Sequence, residues 1–548
     1  MQVLKTPGVY VQEVATLPPS VAEVSTAIPA FVGNTEIGTD ATRVTSLLEY
    51  QALFGTVAKS QYTALVETAP PGQVGALTLT RTVADDAPTT LYYYLSHYFT
   101  NGGGPCWIFP VGDQGTVKER FVAALARVEQ EDEPTLILFP EAADALELAD
   151  YGELAQAALG QCNKLKDRFV VLDVPGGNVA AFRDSVGTNY LSYGAAYHPY
   201  VTTTITYLTD DSSITVERVA AGNITSFTRT LPDGGNGIAV SYSGQSADKP
   251  KIRLDAGTAG DPATFTVEGT TLRVANAASK TGVQLAEAFA AFKAANAGTP
   301  FQVAADGTGA EVPGASAAAG LTLSAQTAPP ALLSSIKATE TALYNRIKDA
   351  LARERVELPP SPAMAGIYAA VDRDRGVWKA PANVSVNGVI APVSKMTDDR
   401  QEDLNVDPTA GKSINVIRDF TGRGTMVWGA RTLAGNDNEW RYVPVRRLFI
   451  NIEESAKKAS AFAVFEPNDA TLWLKVQGMI GSYLYGLWER GALAGSKAEQ
   501  AYYVNVGLGK TMTAQDILEG RLIIEIGIAA VRPAEFIVLR FMHMLQQS

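Results

Sequence analysis

Lys510 is the first residue of this chain that invites a chemical reading. It stands in Gly509-Lys510-Thr511, the ending of a phosphate-binding loop, where glycine amides cradle phosphates, a lysine neutralises them and a hydroxyl holds the metal. That loop needs a further glycine five positions before Gly509, and Val504 is there, so the tripeptide reads as a turn. Hydrolysis by a triad would need a histidine beside a nucleophile and an orienting acid. The histidines are His97, His198 and His543, and the chain contains no G-x-S-x-G elbow for any of them to serve. H-E-x-x-H and C-x-x-C are also absent, which removes the common zinc patterns. Asp372 and Asp374 form a D-x-D, but Arg375 and Gly376 follow where a calcium loop would supply oxygens. The segment 363–383 is therefore expected to be a capped loop with Asp–Arg pairs. Gly102-Gly103-Gly104 precedes a strand instead of following one, unlike a dinucleotide turn. Arg441, Arg446 and Arg447 would divide between the faces of a strand and be solvated or locally paired. No catalytic residue, cofactor site or metal site is expected. So long a chain without such chemistry points to a structural or binding role.

The bulk properties agree. The 548 residues are 46% apolar and 19% charged, as in a globular protein, and too many for one core. A net charge of −12 argues against binding a phosphate backbone over a broad face, so no nucleic-acid partner is expected. Two cysteines, Cys106 and Cys162, fit a reducing compartment without a disulfide framework, although one bridge between them stays open. The N-terminal MQVLKTPGVYVQEV lacks an apolar core of signal-peptide length, and no uncharged apolar run is long enough to span a membrane.

The elements that would position any site alternate first between strand and helix. Cys106–Val111, Thr135–Phe139 and Phe169–Val174 are short apolar runs typical of buried parallel strands, with helices expected over Val117–Glu131 and Ala142–Lys166. Residues 200–330 change character: Thr, Ser, Gly and Ala dominate. Alternating strands are expected at Thr202–Leu208, Ser213–Val219, Ile224–Leu231, Gly237–Ser243, Ala263–Val267 and Thr271–Ala275. One helix, Thr281–Asn296, carries Leu285, Phe289 and Phe292 on one stripe. A helix is expected over Leu332–Glu354, stopped by the prolines that follow.

The last unit opens on Gly424–Leu433 and Trp440–Ile450, two runs rich in Val, Trp, Tyr and Phe around the turn Ala434–Asn438. They are expected to form a hairpin, which alone is marginal in water and needs partner strands. Helices follow at Glu454–Phe465 and Asn468–Arg490, the second capped by Asn468, stopped by Gly491 and striped by Trp473, Val476, Ile480, Tyr483, Leu484 and Leu487. Strands are expected at Gly520–Ala529 and Ala534–Met542. At the other end, Val9–Val14 is a short strand ahead of Pro18-Pro19 with no neighbour in sequence to pair with. Both chain ends thus carry orphan strands.

Several blocks together resemble the sheath proteins of contractile tails and contractile injection systems (phage tail, R-type pyocin and extracellular injection-system sheaths). They are Thr6-Pro7-Gly8-Val9-Tyr10-Val11-Gln12-Glu13-Val14, Ser25–Gly33, Ala382-Asn383, Leu404-Asn405, Ile414-Asn415, Gly422-Arg423-Gly424, Val427–Leu433, Trp440-Arg441-Tyr442, Arg446-Arg447, Phe465–Asn468, Gly491-Ala492-Leu493 and Arg532–Phe536. They cover some 160 C-terminal residues and the N-terminal arm, but not the insertion. The resemblance implies an α/β multidomain protein. A helix-covered α/β sheet domain, 31–199 plus 331–393, would be interrupted by a β-rich, outward-facing insertion at 200–330. A C-terminal sheath core at 394–532 would follow, with strand-exchange arms at 1–30 and 533–548.

In such sheaths the arms of two subunits add strands to a third. Mapped here, Val9, Tyr10, Val11 and Val14 and Phe536, Ile537, Val538 and Leu539 would be the exchanged strands. Val427, Trp428, Arg431, Trp440, Tyr442 and Val445 would form the acceptor hairpin. Five or six backbone bonds at ~1 kcal/mol each would make one arm worth about 5 kcal/mol. The helix bearing Asn468, Lys475, Tyr483, Glu489 and Arg490 resembles the segment that touches the inner tube. The implied partners are the chain itself in a ring-stacked helical homopolymer, an inner tube protein, and baseplate and terminal cap proteins. Membrane insertion is not implied. Assembly in the bacterial cytoplasm would yield a phage tail or phage-tail-like particle, some of which act outside the cell. A metastable extended lattice would contract to drive the tube through a target envelope, without nucleotide. The alternatives are an α/β enzyme or NTPase of unknown substrate, favoured by 100–175 but lacking a catalytic constellation, and a monomeric adhesin-like protein that binds through 200–330.

Overall fold

A computed structural model of the chain describes residues 21–540, apart from 58, 69–74, 83–89, 221–223, 233–234, 246–247, 259, 278, 317–319 and 327–330. Val9, Tyr10, Val11, Val14 and His543 lie outside the described residues. The chain divides into two units: 1–58, 85–206 and 355–548 form one, and 59–84 with 207–354 form the other.

The larger unit is built on nine strands: β1 (Pro29–Gly33), β2 (Thr42–Val44), β3 (Cys106–Pro110), β4 (Leu136–Leu138), β5 (Phe169–Asp173), β6 (Gly194–His198), β7 (Val384–Ser385), β8 (Ile414–Phe420) and β9 (Gly424–Val427). Their order across the sheet is β2-β3-β1-β4-β5-β6-β8-β9-β7. The middle, from β3 to β8, is parallel, and the outer pairs at both ends are antiparallel. β1, β4, β5 and β6 are buried at every position, which is why these runs are apolar instead of alternating, apart from Asp173 and His198 at the ends of β5 and β6.

Helices cover this sheet. Among them are α1 (Leu91–Thr100), α2 (Val117–Val128), α3 (Leu148–Leu165) and α4 (Ser361–Arg375). α2 starts at a capping box, Thr116 with Glu119, and buries Phe121, Ala124, Leu125 and Val128 at helical spacing. The expected loop over 363–383 is instead occupied by α4 as far as Arg375. Pro360 and Pro362 lie at its first turn, where a missing N–H and a fixed φ do no harm, so these prolines start a helix.

The C-terminal part differs most from expectation. Trp440–Ile450 is not a strand: α5 runs from Val443 to Ser460, again with a proline, Pro444, in its first turn. Its β-branched and aromatic residues suggested a strand, but Val445, Leu448, Ile452 and Ser455 follow a helical period that continues beyond Ile450, and all four are buried. The hairpin therefore reduces to one isolated bridge, Arg431 to Tyr442, and β9 pairs with β8 and β7. α6 (Ala470–Glu489) is capped by Asp469, whose carboxylate accepts the Leu472 amide at 2.9 Å, and not by Asn468. Gly491, at φ +84°, ends the helix region as expected. α5 and α6 pack through Leu448, Ile452, Val476, Ile480 and Leu484.

Two last strands, β10 (Tyr502–Val506) and β11 (Ile524–Ile528), form a separate two-stranded antiparallel sheet against α6. Residues 531–540 belong to no helix or strand; the strand expected over Ala534–Met542 is one for pairing with another subunit, and its last two residues lie outside the described residues.

The smaller unit is β-rich with one long packed helix, but its bounds are not the 200–330 expected: the strand Val201–Thr206 belongs to the larger unit, and the smaller one runs on to 354. It is not confined to that stretch, because Gln61–Thr68 pairs in parallel with Ile214–Ala220 in its main sheet. The helix Gly282–Ala295 buries Leu285 and Phe289 against Phe265, Leu272 and Val274. The single helix expected over 332–354 is two, Leu333–Ile336 and Thr341–Leu351.

Candidate functional site

The chemistry-bearing residues are disposed of locally. The amides of Lys510, Thr511 and Met512 all donate to the Gly507 carbonyl at 3.1–3.2 Å, so the apparent phosphate loop closes on itself. His97 is buried with Nε2 3.2 Å from the Asn387 carbonyl, and burial lowers its pKa to about 4; burial does the same to His198. Asp372 pairs with Arg447. Among the described residues no cluster of three or more His, Cys, Asp or Glu side chains could hold a metal ion, and no helix is long and apolar enough to cross a membrane.

What the fold does assemble is a pair of anchors for the two chain ends. The first holds Glu535. Its carboxylate accepts from Arg431 (Nε to Oε1 2.9 Å, Nη2 to Oε2 2.6 Å), from Asn405 Nδ2 at 2.7 Å and from the Tyr442 hydroxyl at 3.0 Å. Burial pushes the Glu535 carboxyl up, and the bonds from Arg431, Asn405 and Tyr442 outweigh it, so its pKa lies below the usual range. Arg431 is 3% exposed and is itself fixed: its amide donates to Asn415 Oδ1 at 2.7 Å, and its carbonyl accepts from Asn415 Nδ2 at 2.8 Å. Asn415 lies on β8 and reaches the Ala196 carbonyl of β6 at 3.2 Å. Gly429 permits this approach, since a Cβ there would lie 2.8 Å from Asn415 Oδ1. Beside the clamp runs a groove of about 780 Å³, bounded by Trp378, Asn383, Trp428 and the 531–537 segment. Immediately after Glu535 the chain comes free: Phe536, Ile537, Val538 and Leu539 are 70–79% exposed.

The second anchor holds residues 23–26 along α5. Arg447 Nη2 donates to the Thr26 carbonyl at 2.8 Å while bound to both Asp372 oxygens at 2.6 and 3.0 Å. Asn451 Nδ2 donates to the Val24 carbonyl at 3.0 Å, and the Val24 amide to Ser455 Oγ at 3.2 Å. Arg490 pairs with Glu23 at 2.9 Å. Arg446 and Arg447, expected to be solvated or locally paired on a strand, are buried helix residues; Arg446 reaches the Tyr193 hydroxyl at 2.8 Å.

The residues expected to form an acceptor hairpin thus come together differently. Arg431 and Tyr442 grip their own chain's Glu535. Val427 and Val445 are core, Trp428 packs at a tilt against Phe420, and Trp440 lies edge-on to Phe449. Of the expected tube-contact residues, Asn468 binds Trp473 Nε1 and the Arg521 carbonyl, Tyr483 donates to Asn451 and Arg490 pairs with Glu23. Lys475 lies over the Phe462 ring, and Glu489 is exposed. The unpaired edge that sequence reading missed belongs to β10 and β11. Within the described residues no third strand joins this sheet. Ala529 donates to the Ala501 carbonyl, so the alternating ladder turns the amides of Ile524, Ile526 and Ile528 outward.

Comparison with known proteins converges on one family. The model of the phage tail sheath C-terminal domain matches residues 435–542. A tail sheath protein of Burkholderia phage BcepMu is 36% identical over 155 residues, 26% of this chain and 31% of that protein. A tail sheath protein of Vibrio phage KVP40 is 25% identical over 136 residues, 25% of this chain and 20% of that protein. The aligned part of the chain thus spans less than a third of these relatives. Solved structures match over nearly the whole length. The PVC sheath complex of an extracellular contractile injection system, in its contracted state, has 25% identity and a TM-score of 0.55, over 99% of this chain and 98% of that one. The contracted helical sheath of the anti-feeding prophage has 28% identity and a TM-score of 0.54, over 98% and 99%.

Proposed function

We propose, for a chain that belongs to the contractile tail sheath protein family, that it is the repeating subunit of a helical sheath that contracts around an inner tube. The role is structural, with the work coming from rearrangement of subunit interfaces between two packings. The observation that carries this reading is the pairing of an anchored, exposed arm with an unpaired sheet edge. Phe536–Leu539 would waste four large apolar side chains in solvent unless another surface covers them. β10 and β11 form a two-stranded sheet of marginal stability, with half-buried Ile524, Ile526 and Ile528 and outward amides along β11. We assign this sheet, and not the segment 424–450, as the acceptor of exchanged strands. Residues 9–14 and 536–542 are the strands it would receive from other subunits. The tube would face the exposed side of α6, where Leu474, Lys475 and Glu489 point to solvent. A tube protein, a baseplate and a terminal cap complete the partner set, in a phage-tail-like particle. Electron microscopy of the purified chain tests the reading. Hollow tubes or cogwheel-like rings are expected, and they should be lost on deletion of residues 1–14 or 534–548. A chain that stays monomeric at high concentration in several salts would refute it.

A further inference from the structure

The two arm roots meet on one short stretch of chain. The C-terminal root is held by Arg431 and by Tyr442, the residue that precedes the first turn of α5. The N-terminal root is held by Arg447, Asn451 and Ser455, on the second to fourth turns of the same helix. Tyr442 and Arg447 are five positions apart in sequence. These anchors are built to last: Arg431, Arg447, Asn451 and Ser455 are each 4% exposed or less, and both arginines bind a carboxylate through two nitrogen–oxygen contacts. The stretch is also tied into the main sheet, through Arg431 to Asn415 on β8 and on to Ala196 on β6. Arg431 is bridged directly to Tyr442, so the two roots are joined through this one stretch.

We propose that the segment from Tyr442 to Ser455, with Arg431, is the load-bearing junction of the polymer. Tension arriving through one arm passes to the other across these few residues, so the rest of the body can reorient without carrying it. Arg431, Arg447 and Asn451 act as positioning residues, through the arms they hold. The inference rests on the sheath reading for its polymer, but the anchors themselves are properties of the free chain, and the two can fail separately.

The anchor is read first in the free chain. Cys106 and Cys162 are fully buried, so a nitroxide on an Ile537→Cys variant labels one site. With Glu535 present the label should be slow. Glu535→Ala, and to a lesser degree Glu535→Gln, should make it fast, while near-ultraviolet circular dichroism of the body stays unchanged. An equally slow label in Glu535→Ala overturns the anchor.

The junction is read in the polymer, from the rate at which tubes dissociate in urea. Glu535→Gln at one root and Asn451→Ala at the other should each speed dissociation roughly tenfold, the loss of one buried or charge-assisted hydrogen bond. Links in series fail at rates that add, so the double variant should be about twentyfold faster. Anchors that merely stabilise one common interface contribute energies that add and rates that multiply, giving about a hundredfold. The smaller figure supports the junction; the larger one, or tubes of either variant as durable as the parent's, overturns it. If the parent chain forms no tubes the sheath reading and the load-bearing role both fall, while the spin-label result still decides the anchor.

Discussion

Asp173 and Glu141 are carboxyl groups sealed in the larger unit, 2% and 3% exposed. Burial pushes Asp173 up to about 8 against the bonds from Ser361, and Glu141 up to about 7 against those from Asn34 and Thr90. Both folded values exceed the ordinary values of 3.8 and 4.5, so the native state holds protons that the unfolded chain releases. Their contribution is therefore full at low pH and is lost as pH rises through 7 to 8. His97 and His198 act in the opposite direction, but only below about 6.5, where the unfolded imidazoles become charged. Between about pH 7 and 8 these carboxyls should set most of the slope; above that, Cys106 and Cys162, whose thiols burial also pushes up, add a fall of the same sign. Thermal unfolding should show stability falling by up to ~1.4 kcal/mol per pH unit for each proton released. Asp173→Asn should flatten that fall; an unaltered slope would show that Asp173 does not titrate there. Gly429→Ala belongs to the same scale. Its Cβ, 2.8 Å from Asn415 Oδ1 and 3.0 Å from Asn415 Cα, must displace the residue that fixes Arg431. A loss of about 1–3 kcal/mol by denaturant unfolding is expected.

Elements were legible where one physical signal dominated. Continuous apolar runs identified β3, β4 and β5, because they are too short for buried helices and are bounded by Pro105, Pro134, Pro140 and Pro175. The alternating strands expected between Ser213 and Ala275 and the long helix α6 were equally readable from period, whereas Gln61–Thr68, Leu77–Thr82, Lys251–Leu254 and Phe301–Ala305 were passed over. α5 was not, because its opening Val443-Pro444-Val445 and its arginines look like an edge strand until the period is followed to Ser455. Tertiary burial, not propensity, decided it. β10 was passed over because five residues with Asn505 among them carry little signal alone, and only pairing with β11 makes them a strand. That pair supports a direct prediction. Proline at Ile526 would remove an outward amide without touching the β10 ladder. Ile526→Pro should leave the free chain folded, at a cost similar to that of Ile526→Ala, yet abolish tubes that Ile526→Ala still forms. Tubes from Ile526→Pro would rule β11 out as an acceptor edge.

At the scale of the whole molecule, the sequence blocks that resemble sheath proteins turn out to be gathered by folding. Asn405, Arg431 and Tyr442 converge on Glu535 across 130, 104 and 93 residues of chain. No spacing rule could find a clamp made of four such distant positions; only the family resemblance placed them on one list, without a reason. The structure supplies the reason, and it changes the part played by residues 418–450, which hold the roots of their own subunit's arms. In the assembly proposed above, β11 and not this segment is the acceptor edge. A reconstruction of the assembled chain by electron cryomicroscopy, at a resolution that traces the backbone, tests this most directly. Residues 536–540 of one subunit should run as a strand along β10 and β11 of another, with Glu535 still seated on Arg431 of its own chain. A polymer in which that edge stays bare, or in which the arm folds back on its own body, would contradict it.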